Sequence, residues 1–156
     1  VDTFVAAMRA ARIRVVVSAT FRPVERSYLM HWCWKIVHGT DPALAPPLAG
    51  VNINWVHATR AASVEAARQM VRAFDMDNLR TPPALRSLHN DRSAVDMTIS
   101  WTGAVTVADQ RGSAVRIDTL PRTGMNRQLQ AVGASYGVMK FAGGESDKPH
   151  WSTTGR

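Results

Sequence analysis

The stretch Ser87-Leu88-His89-Asn90-Asp91-Arg92-Ser93-Ala94-Val95-Asp96-Met97-Thr98-Ile99-Ser100-Trp101 decides how this chain is read. Val95, Met97, Ile99 and Trp101 alternate with Ala94, Asp96, Thr98 and Ser100, the period of two expected of a half-buried β-strand. Side chains on a strand alternate between its faces, so Asp96 leaves the Val-Met-Ile-Trp face and is displayed where chemistry can occur while the other face joins a core. His89 stands seven residues ahead, at the loop end that feeds the strand, and can converge on the same cleft.

Working outward, Thr102-Gly103 is expected to turn the chain into Ala104 to Ala108 as an antiparallel neighbour of that strand. Thr123 is expected to cap a helix with Met125, Leu129, Val132 and Tyr136 on one face, and Tyr136 to Phe141 then reads as extended. After the Gly143-Gly144 turn, Asp147-Lys148-Pro149-His150-Trp151-Ser152 reads as a short strand with His150 and Trp151 on opposite faces. Toward the N-terminus, a helix over Thr3 to Arg12, capped by Thr3, precedes a β-branched strand from Ile13 to Ser18. Pro23 suits the first turn of a helix that carries Leu29, Trp32 and Ile36 on one face as far as Gly39. The prolines of residues 41–50 break helix and central strand and predict a surface loop or flap, after which Val64, Ala67, Val71 and Phe74 predict a third helix.

These elements predict an α+β fold of helices on a mostly antiparallel sheet. The length of 156 residues, 46% of them hydrophobic, suits one domain with a single core. Charged residues are dispersed rather than blocked, which argues against a disordered or tail-like protein. No apolar run is long enough to span a membrane, and no leader is visible at Val1. The net charge of +7 implies an anionic partner such as nucleic acid, anionic lipid or bacterial wall. Scattered Arg residues without interleaved stacking aromatics argue against nucleic acid. The lone Cys33, between Trp32 and Trp34, forms no intramolecular disulfide and reads as a buried structural thiol.

A catalytic zinc site takes about three protein ligands of His, Asp, Glu or Cys type, with a carboxylate nearby to accept a proton from water. His89, Asp96 and His150 offer such a set, and Asp147, three residues before His150 across the Lys148-Pro149 bend, offers the base, with Glu145 as its competitor. His31, His38 and His57 lack partners at ligand spacing and are expected to be ordinary surface or core residues.

The segment from Ser87 to Asp96 resembles the signature Ser-x-His-x-x-Gly-x-Ala-x-Asp of the zinc D-Ala-D-Ala carboxypeptidases and L-alanyl-D-glutamate endopeptidases that process peptidoglycan. Asp147-x-x-His150-Trp151 is similar to that family's second motif, with Asp in place of Glu as in its phage endolysin branch. Ser18-Ala19-Thr20-Phe21-Arg22-Pro23 resembles a third motif, at a strand end. The family's glycine is Arg92 here. The resemblance implies a Hedgehog/D-Ala-D-Ala peptidase-like fold with zinc held by His89, Asp96 and His150 and with Asp147 as base. It further implies that Arg22 binds a substrate carboxylate or polarises the scissile carbonyl, that Ser87 assists substrate binding, and that a monomer acts on the stem peptide at the wall or in the periplasm. Cleavage between L-Ala and D-Glu is the favoured expectation; D-Ala-D-Ala carboxypeptidase action and non-catalytic wall binding are its alternatives.

Overall fold

The alternating segment around Asp96 forms the second strand of the molecule. In the computed structural model, which describes residues 1–156, the elements run α1 (Asp2–Ala10), β1 (Arg14–Ala19), α2 (Val24–Val37), α3 (Arg60–Ala73), β2 (Ala94–Ser100), β3 (Val105–Ala108), β4 (Ala114–Ile117), α4 (Arg127–Ser135), β5 (Met139–Lys140) and β6 (His150–Ser152). Four helices and antiparallel sheets make this an α+β chain. Its residues group into two compact units, one of Val1–Phe21 with Leu88–Arg156 and one of Arg22–Ser87.

In the first unit a four-stranded sheet runs in the order β1-β2-β6-β5, with every pair antiparallel. Val95, Met97 and Ile99 of β2 are almost fully buried, together with Phe4 and Met8 of α1, Leu129 and Val132 of α4 and Trp151 of β6. Each side chain of this size contributes roughly 1.5–3 kcal/mol when fully buried. The register is therefore set by the apolar face. Val95 lies opposite Trp151, and the same pairing puts Asp96 opposite His150. The core thus aligns two candidate ligands across neighbouring strands.

Gly133 of α4 sits against this core. A Cβ there would come within 2.8 Å of the Val138 carbonyl oxygen and 2.9 Å of the Trp151 ring, so the close approach of helix to sheet requires glycine. On the other edge, the pairing of β1 with β2 shifts register between Val17 and Ala19. Such an irregularity bends a strand and re-aims the residues beyond it. Here it leads into Thr20, whose carbonyl reaches His89.

Several local expectations are corrected. Ala104 to Ala108 does not join β2; β3 pairs with β4 in a separate hairpin, and the neighbours of β2 are β1 and β6. Asp109 closes that hairpin by accepting from the N–H groups of Arg111 and Ser113, a favourable turn for a two-stranded ribbon. The cap of α4 is Asn126, not Thr123: its side chain accepts from the Gln128 and Leu129 N–H groups, while Thr123 only shapes the preceding turn. The extended stretch after α4 shrinks to Met139–Lys140, because Tyr136 ends the helix and Gly137 takes φ +70°. Helix α1 has no side-chain cap from Thr3; it begins at Asp2.

In the second unit α2 and α3 pack over Cys33, Ile36, Ala67 and Val71. Thr59 caps α3 through the Ala62 N–H. The Pro-rich stretch from 41 to 50 is a mostly exposed loop, as expected, with one 3-10 turn at Pro42–Leu44. It is tied to α2: the Tyr28 hydroxyl donates to the Pro46 carbonyl at 2.6 Å and accepts from the Trp55 indole N–H at 3.0 Å. Cys33 is fully buried, and burial pushes its thiol up to about 11, so it remains protonated and inert at neutral pH.

Candidate metal centre

The first unit brings three sequence-predicted ligands together. His89 occupies a turn in which the Ser93 N–H donates to the Leu88 carbonyl and the Arg92 N–H to that of His89. Arg92 has φ +58°. This pair of bonds with a left-handed residue between them is the arrangement usually completed by glycine. Arg92 therefore takes a conformation that glycine adopts freely. Asp96 comes from β2 and His150 from β6, on the face opposite Val95 and Trp151.

Their inward atoms are close. His89 Nε2 lies 3.3 Å from Asp96 Oδ1, His150 Nδ1 lies 3.2 Å from the same oxygen, and the two nitrogens are 3.2 Å apart. His89 and His150 are buried and Asp96 nearly so. Each imidazole is fixed from behind by the main chain. His89 Nδ1 donates to the Thr20 carbonyl at 2.6 Å, and His150 Nε2 donates to the Arg156 main-chain oxygen at 3.0 Å. With the outer nitrogens protonated, the neutral rings turn two lone pairs toward a carboxylate oxygen.

Three electron-rich atoms that close repel unless a cation or a proton lies among them. Burial alone would raise Asp96, yet the bonds from His150 and His89 hold its carboxyl well below the usual range. Asp96 in turn raises His150. A divalent ion meets the same demand with coordination bonds. Tetrahedral bonds of about 2.0 Å place neighbouring ligand atoms about 3.3 Å apart, the spacing found here. Rear hydrogen bonds that fix tautomer and ring orientation are the usual support of a metal-binding His. The cluster of His89, Asp96 and His150 can hold a metal ion.

Asp147 is not one of the three. It ends a 3-10 turn, Gly144–Asp147, and its side chain lies toward solvent yet within the field of the cluster. Partial burial and then the Asp96 charge raise its carboxyl, against the pull of His150 and Lys140. Lys140 Nζ donates to the main-chain oxygens of both Asp147 and His150 at 3.0 Å, which ties this turn to β6. Glu145 is occupied differently, in a 2.6 Å ion pair with Lys148.

Arg22 and Ser87 are the first and last residues of the second unit, and neither belongs to the cluster. His31 and His38 bond main-chain oxygens of Pro83 and Trp34, each at 2.8 Å, and His57 takes no part in the cluster. Sequence reasoning missed the Thr20 and Arg156 oxygens, for which no side chain gives a signal. It placed Phe21 in the third motif but not against Arg92, whose guanidinium covers its ring at 4.6 Å.

No protein-family model, curated protein or solved structure matches this chain.

Proposed function

We propose that this protein is a zinc-dependent peptidase of the peptidoglycan stem peptide, cutting between L-Ala and D-Glu. One observation carries the reading: two imidazoles with their outer N–H groups engaged turn lone pairs toward a carboxylate at tetrahedral spacing, on the residues of the peptidase-like motifs. Two His and one carboxylate form a ligand set characteristic of hydrolytic zinc, whose fourth position in such sites is taken by water. Zinc held there supplies a Lewis acid that acidifies water and polarises a carbonyl.

The chain's own groups do the rest. Asp147 receives the proton of the attacking water on its carboxylate and passes it to the leaving amine. Its position in the field of the cluster, outside the ligand set, favours it over the ion-paired Glu145. Lys140 holds the Asp147 turn against β6 and so fixes the distance from base to site. Arg22 binds a substrate carboxylate and Ser87 assists, as the motif resemblance implies. The basic surface favours an anionic wall.

The experiment is digestion of purified peptidoglycan by the zinc-loaded protein, the chelated protein and Asp147→Asn, with products identified by mass spectrometry. New L-Ala carboxyl ends are expected, absent after chelation and reduced at least a hundredfold in Asp147→Asn while zinc stays bound. Release of free D-Ala would instead indicate carboxypeptidase action. A folded, zinc-loaded wild type that cuts no wall chemotype would leave only a binding role.

A further inference from the structure

Arg92 is a costly residue for its place. Its backbone is left-handed, a conformation that disfavours every residue with a Cβ by about 1 kcal/mol or more relative to glycine. The turn it closes needs only that conformation, which Gly supplies freely and Asn or Asp more cheaply than Arg. Arg12 and Asp75 take the same conformation away from the cluster, so it is the contacts of the Arg92 side chain beside His89 that single this residue out.

The side chain is exposed and lies over a half-exposed aromatic ring. Its guanidinium lies 4.6 Å above the Phe21 ring, and Phe21 follows Thr20, whose carbonyl orients His89. Arg92 is itself bonded through its N–H to the His89 carbonyl, so both ends of the pair are anchored to the same ligand. No acid of the chain pairs with it; the ion pairs of Arg and Lys use Arg68, Arg72, Arg116 and Lys148. Stacking on an aromatic face leaves the N–H edge of a guanidinium available, and that edge matches a carboxylate in two parallel bonds.

We infer that Arg92 is a substrate-binding residue that recognises a carboxylate of the peptide presented to the metal centre. The identity of the peptide rests on the peptidase reading; the recognition of a carboxylate rests on the Arg92–Phe21 pair. This contact is separate from the one assigned to Arg22. It makes the protein selective for acidic stem peptides over those whose D-Glu is amidated.

The test is calorimetric binding of acetyl-L-alanyl-D-glutamate and of its diamide to the zinc-loaded wild type, R92G and R92K, with thermal melts of each protein and cleavage of the same peptides followed in parallel. The wild type is expected to bind the dicarboxylate about tenfold or more tightly than the diamide, the scale of a charge-assisted bidentate contact. R92G is expected to weaken that preference about tenfold, leaving the part due to Arg22, while melting higher than wild type, and R92K to fall between the two. A wild type without preference, or an R92G whose preference equals that of the wild type, overturns the inference. An Arg92-dependent preference without cleavage of either peptide would uphold the inference and count against the peptidase reading.

Discussion

Removing the Asp96 carboxylate tests the metal centre most directly. In the native protein Asp96 Oδ1 stands 3.3 Å and 3.2 Å from the two imidazole nitrogens, already the edge lengths of a tetrahedral site. Zinc would need little rearrangement to bind there and would favour the folded chain over the unfolded one. With free zinc at a hundred times its dissociation constant, that linkage stabilises the fold by about 2.7 kcal/mol. For a chain of this length each kcal/mol moves the melting temperature by about 2–4 °C, which gives a rise of about 5–11 °C. Asp96→Ala leaves two imidazoles, too few to hold the ion at the same concentration, and its melting temperature is expected to be unmoved by zinc. The assay is circular-dichroism melting of chelator-treated protein over a zinc series, with bound zinc counted after gel filtration. No zinc-dependent rise in the wild type, or an equal rise in Asp96→Ala, would refute the reasoning.

Further expectations concern the core and Cys33. Gly133→Ala, which would stabilise an exposed helix by about 1 kcal/mol, is expected to destabilise this one by about 1–3 kcal/mol, because its methyl group meets the Val138 carbonyl and the Trp151 ring; a raised midpoint in urea would contradict the packing. Asn126→Ala removes the cap of α4 and the bonds from the buried amide to Thr119, for a loss of about 2 kcal/mol measured the same way. The Cys33 thiol, held up at about 11 by burial, is protonated at pH 8 and is expected to resist iodoacetamide until the chain is unfolded in urea. Stoichiometric alkylation of the native protein would disprove its burial.

How far the sequence could be read depends on how local each decision is. The alternation of β2 is local and was legible residue by residue, with Asp96 leaving the apolar face as expected. The pairing of β3 is not local in the same sense. A β-branched run after Thr102-Gly103 suggests folding back on β2, but the Asp109 turn offers a nearer partner, and Ala114–Ile117, with an exposed Arg116 in its middle, does not advertise itself as a strand. The cap of α4 shows the same limit, since Thr123 and Asn126 are both capable caps and only the buried bonds of Asn126 to Thr119 separate them. The three residues of the cluster were legible because side-chain chemistry marks them. The main-chain oxygens that orient His89 and His150 carry no such mark. The grouping into two units has no signature either, because its boundaries at Phe21 and Leu88 fall inside the motif segments rather than in linkers.

The strand order has a consequence for how the protein comes into being. The partners of β2 are far away along the chain, and Asp96 meets His150 across 54 positions, with β3, β4, α4 and β5 all lying between them. Closing so wide a loop costs entropy before any contact offsets it, which makes this pairing a slow step. During synthesis His89 and Asp96 emerge long before His150, and two residues of the cluster would hold a metal ion weakly. Capture of a metal ion by the three residues would therefore mark the docking of β6, and the rate at which the chain becomes resistant to a chelator would report when the last strand of the sheet is laid down.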